Sequence, residues 1–178
     1  MLASLITTFL ILTFSTLSLA DSAPFTLTAN STNTTLNGQQ AYIYIDPADP
    51  YFGLLYFTSD PTIPATTFTL DSSGGHILSH LSNTTSTLSL LEANTNNDAY
   101  DETIFFSPPS VVADGQNPPT CHVYAGQLSC EVTSEGDTRL TKTYVCPDGV
   151  GYGTIGGSLK IGKVVVEGCE AVGLVVSY

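Results

Sequence analysis

The sequence predicts an all-β protein, a single antiparallel β-sandwich or barrel domain closed by two disulfides. Three observations carry that expectation. Apolar and polar residues alternate with period two in short runs from Phe25 to Val176. Turn-forming clusters separate these runs at short intervals: Asn37-Gly38, DPADP (46–50), SDP (59–61), DSSGG (71–75), PDG (147–149) and GG (156–157). After residue 20 no segment carries the i, i+3, i+4, i+7 apolar stripe of an amphipathic helix. Composition agrees, because only 11% of residues are charged while Thr, Val, Tyr and Phe, which favour pleated surfaces, are abundant. PFTLTANST (24–32) and TTFTLDSSG (66–74) echo one another, but two copies do not make a repeat, so a β-trefoil stays open without threefold support.

The first twenty residues stand apart from this pattern. Met1 to Ala20 contain no charged side chain, and the run from Leu5 to Leu19 is apolar with interspersed Thr and Ser. Ser18 and Ala20 occupy the small-residue positions of an A-x-A-like cleavage site, so residues 1–20 read as a secretory signal peptide and Asp21 as the first mature residue. Residues 21–178 then form one secreted all-β domain of ordinary size, large enough to bury a core. No second hydrophobic run of spanning length occurs, which predicts no membrane association after cleavage.

The strands follow in order. FTLT (25–28) opens the series, and AYIYI (41–45) places Ala41, Ile43 and Ile45 on one face with Tyr42 and Tyr44 on the other. YFGLLYFTS (51–59) is apolar on both faces, as a central strand would be. Further candidates are TTFTL (66–70), HIL (76–78), STLSLL (86–91), TIFF (103–106), RLTKTYV (139–145), SLKI (158–161), VVV (164–166) and AVGLVV (171–176).

Cys121, Cys130, Cys146 and Cys169 are even in number and all follow the leader, which in a secreted chain implies two disulfides with three possible connectivities. Geometry selects one. In CHVYAGQLSC (121–130), a hairpin turning at Ala125-Gly126 pairs Tyr124 with Gln127, Val123 with Leu128 and Cys121 with Cys130. The cysteines then form a non-hydrogen-bonded pair with Cα atoms roughly 4.5 Å apart, within bridging range. Val123 and Leu128 share their face, and His122 and Ser129 take the other. Ala125 is a poor residue for a type I′ turn, which asks for positive φ. Elimination leaves Cys146–Cys169. A zinc site is disfavoured because no C-x-x-C pair occurs.

Three sequons, at Asn30, Asn33 and Asn83, are acceptors for N-glycosylation and lie in polar stretches suited to exposed loops. The net charge of −12, with all four basic residues between Arg139 and Lys163, excludes nucleic acid and anionic lipid as partners.

Candidate chemistry is sparse. Gly151, Gly153 and Gly156 spell G-x-G-x-x-G, but strand-like sequence follows where a dinucleotide site needs a helix, so no cofactor is expected. His76 and His80 have helical metal-ligand spacing; on a strand they would stand about 13 Å apart and could not share an ion. Asp98, Asp101 and Glu102 cluster among amides without the spacing of a calcium loop, so no metal site is expected. Asp46 and Asp49 join these three as carboxylates that a hydrolase would need to bring together in space. No G-x-S-x-G elbow and no Trp occur, so Tyr42, Tyr44, Tyr51 and Tyr56 are the candidates for stacking on a sugar. No catalytic residue is assigned.

Several segments together carry a family resemblance: FTLTA after the leader, ATTFTLDSSGGHIL (65–78), CPDGVGYGTIG (146–156) and EGCEAVGLVV (167–176). With these the chain resembles the small secreted fungal cell-wall proteins of the PhiA type, a group that includes some fungal allergens. Beyond that pattern it has the Cys121–Cys130 hairpin and a first part without Lys or Arg. The resemblance implies an antiparallel β fold, extracellular or wall association and no catalytic residues. The expected role is therefore a non-catalytic, cell-wall-associated structural protein, with wall polysaccharide or another wall protein as partner. The second expectation is a secreted carbohydrate-binding module or effector that docks a wall or host polymer.

Overall fold

A computed structural model of the chain describes residues 21–47, 53–81, 84–91, 101–107, 118–134, 137–140, 142–146, 157–162 and 164–178. Their secondary structure is all strand and turn, without helix. The strands are β1 (Thr26–Asn30), β2 (Gln40–Ile45), β3 (Gly53–Thr58), β4 (Thr67–Leu70), β5 (Ile77–Leu81), β6 (Thr84–Leu91) and β7 (Asp101–Ser107), followed by β8 (Thr120–Tyr124), β9 (Gln127–Ser134), β10 (Asp137–Leu140), β11 (Lys142–Val145), β12 (Leu159–Gly162), β13 (Glu170–Ala171) and β14 (Gly173–Ser177). Each of the strand pairings is antiparallel, in a sandwich-like arrangement.

β1 and β14 are neighbours within the sheet, between β9 and β2. β14 pairs with β1 from Thr26↔Ser177 to Asn30↔Gly173, and β1 pairs in turn with β2 at Thr28↔Gln40. β2 and β3 form the longest described register without interruption, from Gln40↔Thr58 to Ile45↔Gly53. Gly53 is needed for this approach, since a Cβ there would lie 2.5 Å from Cγ2 of Ile43. The β4–β5–β6 meander leads into β7 and folds back on the start of β1. There Phe25 and Phe68 exchange two backbone hydrogen bonds of 2.9 and 2.8 Å.

That closure explains the core. Alternation sends Leu27, Ala29, Ala41, Leu55, Phe106, Ile161, Leu174 and Val176 to one face, where Phe25, Phe68 and Ile77 cover them. Phe68 is fully buried and its ring lies 6.2 Å from Phe25 and 5.9 Å from Phe106. Truncating such a ring to Ala costs roughly 3–5 kcal/mol. Over Gly53–Thr58 the central-strand reading holds, as Leu54 and Leu55 are both buried although they point to opposite faces.

Both disulfides are those expected. Cys121 and Cys130 stand opposite in the β8–β9 register with Cα atoms 4.0 Å apart, and Cys146–Cys169 closes the second loop at 4.2 Å. Ala125 (φ 49°) and Gly126 (φ 76°) are both left-handed, so the tip is the type I′ turn despite its alanine. Val123 and Leu128 face the core with the sulfurs, and His122 is exposed on the other side.

Three strand readings change, one of them AVGLVV, which divides at Val172 into β13, paired with β11, and β14, paired with β1 and β9. RLTKTYV is two strands: β10 pairs with β9, whereas β11 pairs with β12 and β13, so the chain passes from one part of the sheet to another between Leu140 and Lys142. Val164–Val166 forms no strand. The chain must reverse at Glu167-Gly168 (Gly168 φ 84°) to bring Cys169 to Cys146, and the amide of Cys169 bonds the Val166 carbonyl at 3.0 Å. β-propensity yields there to the turn and the disulfide.

Candidate functional site

The face opposite the core is where the outward side chains of β2 and β3 collect. Tyr42 and Tyr44 alternate with the inward Ala41 and Ile43, so they stand on the same outer face about 6.8 Å apart along the strand. The register places Tyr56 directly across from Tyr42 and Leu54 across from Tyr44. The rings of Tyr42 and Tyr56 lie 5.9 Å apart at 31°, and that of Tyr44 meets Tyr56 edge-on at 6.1 Å and 89°. Both arrangements are favourable aromatic pairs. Tyr44 is 44% exposed, while Tyr42 and Tyr56 are half-buried. Leu54 is buried on the same face, and Gly157 lies alongside, since a Cβ there would be 3.9 Å from Cδ1 of Tyr56. Three of the four tyrosines proposed from sequence are thus brought together; Tyr51 lies outside the described residues. The Tyr56 hydroxyl is buried, so the group offers the ring and hydroxyl of exposed Tyr44 and part of the Tyr42 and Tyr56 rings, a combination able to stack on a sugar.

The other candidates are held apart. His76 precedes β5 and its Nδ1 is 3.2 Å from Oδ2 of Asp71, whereas Nε2 of His80, on β5, is 2.9 Å from Oγ1 of Thr69. Asp71 organises the DSSGG turn: its Oδ1 accepts the amides of Gly74 and His76 at 3.0 and 2.9 Å, and its Oδ2 accepts the Ser73 hydroxyl at 3.1 Å. Partial burial raises the pKa of this carboxyl, but those donors and the nearby His76 outweigh it and hold it below the ordinary aspartate value. Among the described residues no group of three or more His, Cys, Asp or Glu is placed to hold a metal.

Asp46 is half-buried just beyond β2, and Asp101 and Glu102 open β7 in register with Gly162 and Ile161. Asp49, Asp98, Asn83 and the glycines Gly151, Gly153 and Gly156 lie outside the described residues. Asn30 ends β1 and Asn33 sits in the following turn, both exposed as sequons require. Oδ1 of Asn33 accepts the amide of Thr35 at 3.0 Å, and Oδ1 of Asn37 accepts that of Ser31 at 3.1 Å.

A cleft of about 550 Å³ opens beside that turn, with Leu128, Cys130, Val172 and Leu174 among its lining and Ser31, Thr32 and Lys142 on its rim. None of its described lining residues is a carboxylate, and its one cysteine is disulfide-bonded. Nearby, Oε1 of Glu170 accepts the hydroxyls of Ser31 at 2.8 Å and Thr32 at 3.1 Å. The Ser31 and Thr32 hydrogen bonds hold the Glu170 carboxyl below the ordinary glutamate value, with the Asn33 amide adding to them. This link, 139 residues long in sequence, ties the sequon turn to β13, and no local signal could have revealed it.

Sequence reasoning also passed over Tyr124. It stands at the tip of the β8–β9 hairpin and is 79% exposed, on the same outer face as His122. The signal was present, because the hairpin register that pairs the cysteines also points Tyr124 away from the core. Compared with family models, curated proteins and solved structures, the chain matches none of them.

Proposed function

We propose that this chain is a secreted, non-catalytic protein of the fungal cell wall that holds to wall polysaccharide through its outward-facing tyrosines. The observation that carries the reading is the cluster of Tyr42, Tyr44 and Tyr56 on the outer face of the sheet, with Tyr44 exposed. The same face is covered around Leu54, Lys160 and Tyr144, which are buried, and at its margin the ring of Tyr44 and parts of those of Tyr42 and Tyr56 are available to a ligand. Secretion is supported by the leader-like residues 1–20, by cysteines all paired as disulfides, which suit an oxidising compartment, and by the exposed sequons Asn30 and Asn33. Wall association is supported by the PhiA-type segments, of which ATTFTLDSSGGHIL builds the β4 turn and EGCEAVGLVV builds β13 and β14.

Fractionation of a fungal culture expressing the tagged chain tests the reading. The protein is expected in the wall fraction, shorter by the leader and released by competing soluble wall polysaccharide. Retention inside the cell, or a wall-bound form that Tyr44→Ala leaves unchanged, would overturn it.

A further inference from the structure

The strand registers place one continuous row of side chains across the outer face of six strands. Thr58 on β3 pairs with Gln40 on β2, Gln40 with Thr28 on β1, Thr28 with Val175 on β14, Val175 with Gln127 on β9, and Gln127 with Tyr124 on β8. Paired residues in antiparallel strands share a face, so all six side chains point the same way. Five strand spacings make the row about 24 Å long. Gln40, Gln127 and Tyr124 are exposed, and Thr58, Thr28 and Val175 are half-buried. At one end, two residues along their strands, lie Tyr42 and Tyr56; at the other, Tyr124 projects from the disulfide-stapled hairpin.

We propose that this row is the continuation of the tyrosine site: a track that binds a single neutral polysaccharide chain lengthwise across the strands, with Tyr124 as its far stacking residue. The inference rests on the polysaccharide reading above and specifies its ligand. Charge selects a neutral polymer, because the row contains no charged residue and the chain as a whole carries −12, which repels polyuronates and other anionic polymers. The hydroxyls of Thr58 and Thr28, the amides of Gln40 and Gln127, apolar Val175 and the ring of Tyr124 match a chain of linked sugars, whose hydroxyls need hydrogen-bond partners and whose ring faces are apolar. Shape selects a single chain over a crystalline surface. Tyr44 is perpendicular to Tyr56 and Tyr42 is tilted from it by 31°, so the rings present no coplanar platform. Each strand step also turns the row by roughly 20–25°, so the track winds as a flexible chain can and a flat crystal face cannot. On this view the Cys121–Cys130 bridge serves binding as well as stability, because it fixes the hairpin that carries Tyr124.

Titration calorimetry with the folded, disulfide-bonded protein tests the proposal, using soluble β-1,3-gluco-, chito- and manno-oligosaccharides from trisaccharide to octasaccharide. One series is expected to bind with affinity that rises with length. Tyr124→Ala, at a side chain exposed enough to leave the fold intact, is expected to remove that rise, weakening the octasaccharide roughly five- to tenfold and sparing the trisaccharide. Tyr44→Ala is expected to weaken both. If Tyr44→Ala abolishes binding while Tyr124→Ala changes no length, the track is wrong and the tyrosine cluster alone is the site. If no neutral series binds, or only polygalacturonate does, the track and the polysaccharide reading fall together.

Discussion

Tyr42 faces Tyr56 across the β2–β3 register, with their rings 5.9 Å apart on the side of the sheet away from the core. Tyr44 completes the group from the next outward position of β2. The three differ in exposure, and that difference separates binding from stability. Tyr44→Ala, which loses a single edge-on ring contact, is expected to lower unfolding free energy by about 0.5–1 kcal/mol. Tyr56→Ala loses two ring contacts and half-buried area, for a cost of roughly 1–3 kcal/mol. Urea denaturation of the two variants checks this; equal losses would mean that Tyr44 is a packing residue.

Ala125 occupies a left-handed position at φ 49°, where a Cβ is unfavourable by roughly 1–2 kcal/mol. Asn is tolerated in that conformation and Asn-Gly is the preferred type I′ pair. Ala125→Asn is therefore expected to stabilise the protein by about 0.5–1 kcal/mol, read as a higher urea midpoint with an unchanged slope.

Gly75 and Gly38 form a matched test of backbone contact. Both have positive φ, 68° and 83°, but a Cβ at Gly75 would lie 2.6 Å from the Cys121 carbonyl oxygen, and one at Gly38 would meet nothing within 4 Å. Gly75 also accepts the Cys121 amide at 2.8 Å and so anchors the hairpin to the DSSGG turn. Gly38→Ala should show the conformational cost alone, about 1 kcal/mol. Gly75→Ala should exceed it by roughly 1–3 kcal/mol, because backbone must shift. Equal losses would show that the hairpin does not dock there.

Asp71 gives a pH dependence of defined sign. Its carboxyl is held below the ordinary value because the amide and hydroxyl donors of the turn outweigh its partial burial. A depressed pKa in the folded state means stability that is fully present above the unfolded value, near pH 4, and lost as pH falls below it. Wild type should thus be more stable than Asp71→Asn at pH 6, and the gap should narrow towards pH 2.5. A gap independent of pH would assign the role of Asp71 to shape rather than charge.

Much of the fold was legible because two-residue periodicity and turn chemistry are local. CHVYAGQLSC alone specifies a hairpin, its register, a disulfide and the faces of its side chains, and AYIYI separates core from surface residue by residue. What sequence could not supply was which distant strands meet. Nothing in TLTAN announces that it will pair with GLVVS at the far end of the chain, so the row from Thr58 to Tyr124 was invisible. Propensity misled at Val164–Val166, where the turn to Cys169 takes precedence. Lys160, a residue type rarely buried in full, is buried in register with buried Tyr144, which strand periodicity alone does not disclose.

The central claim is that the outer tyrosines hold the protein to wall polysaccharide. Depletion of the purified protein by insoluble fungal wall glucan measures it most directly, comparing wild type with the Tyr42→Ala/Tyr44→Ala double variant. Saturable depletion of wild type, weakened at least about tenfold in the variant at a temperature where both proteins are fully folded, is the result this account predicts. Equal depletion of the two proteins, or none of either, would contradict it.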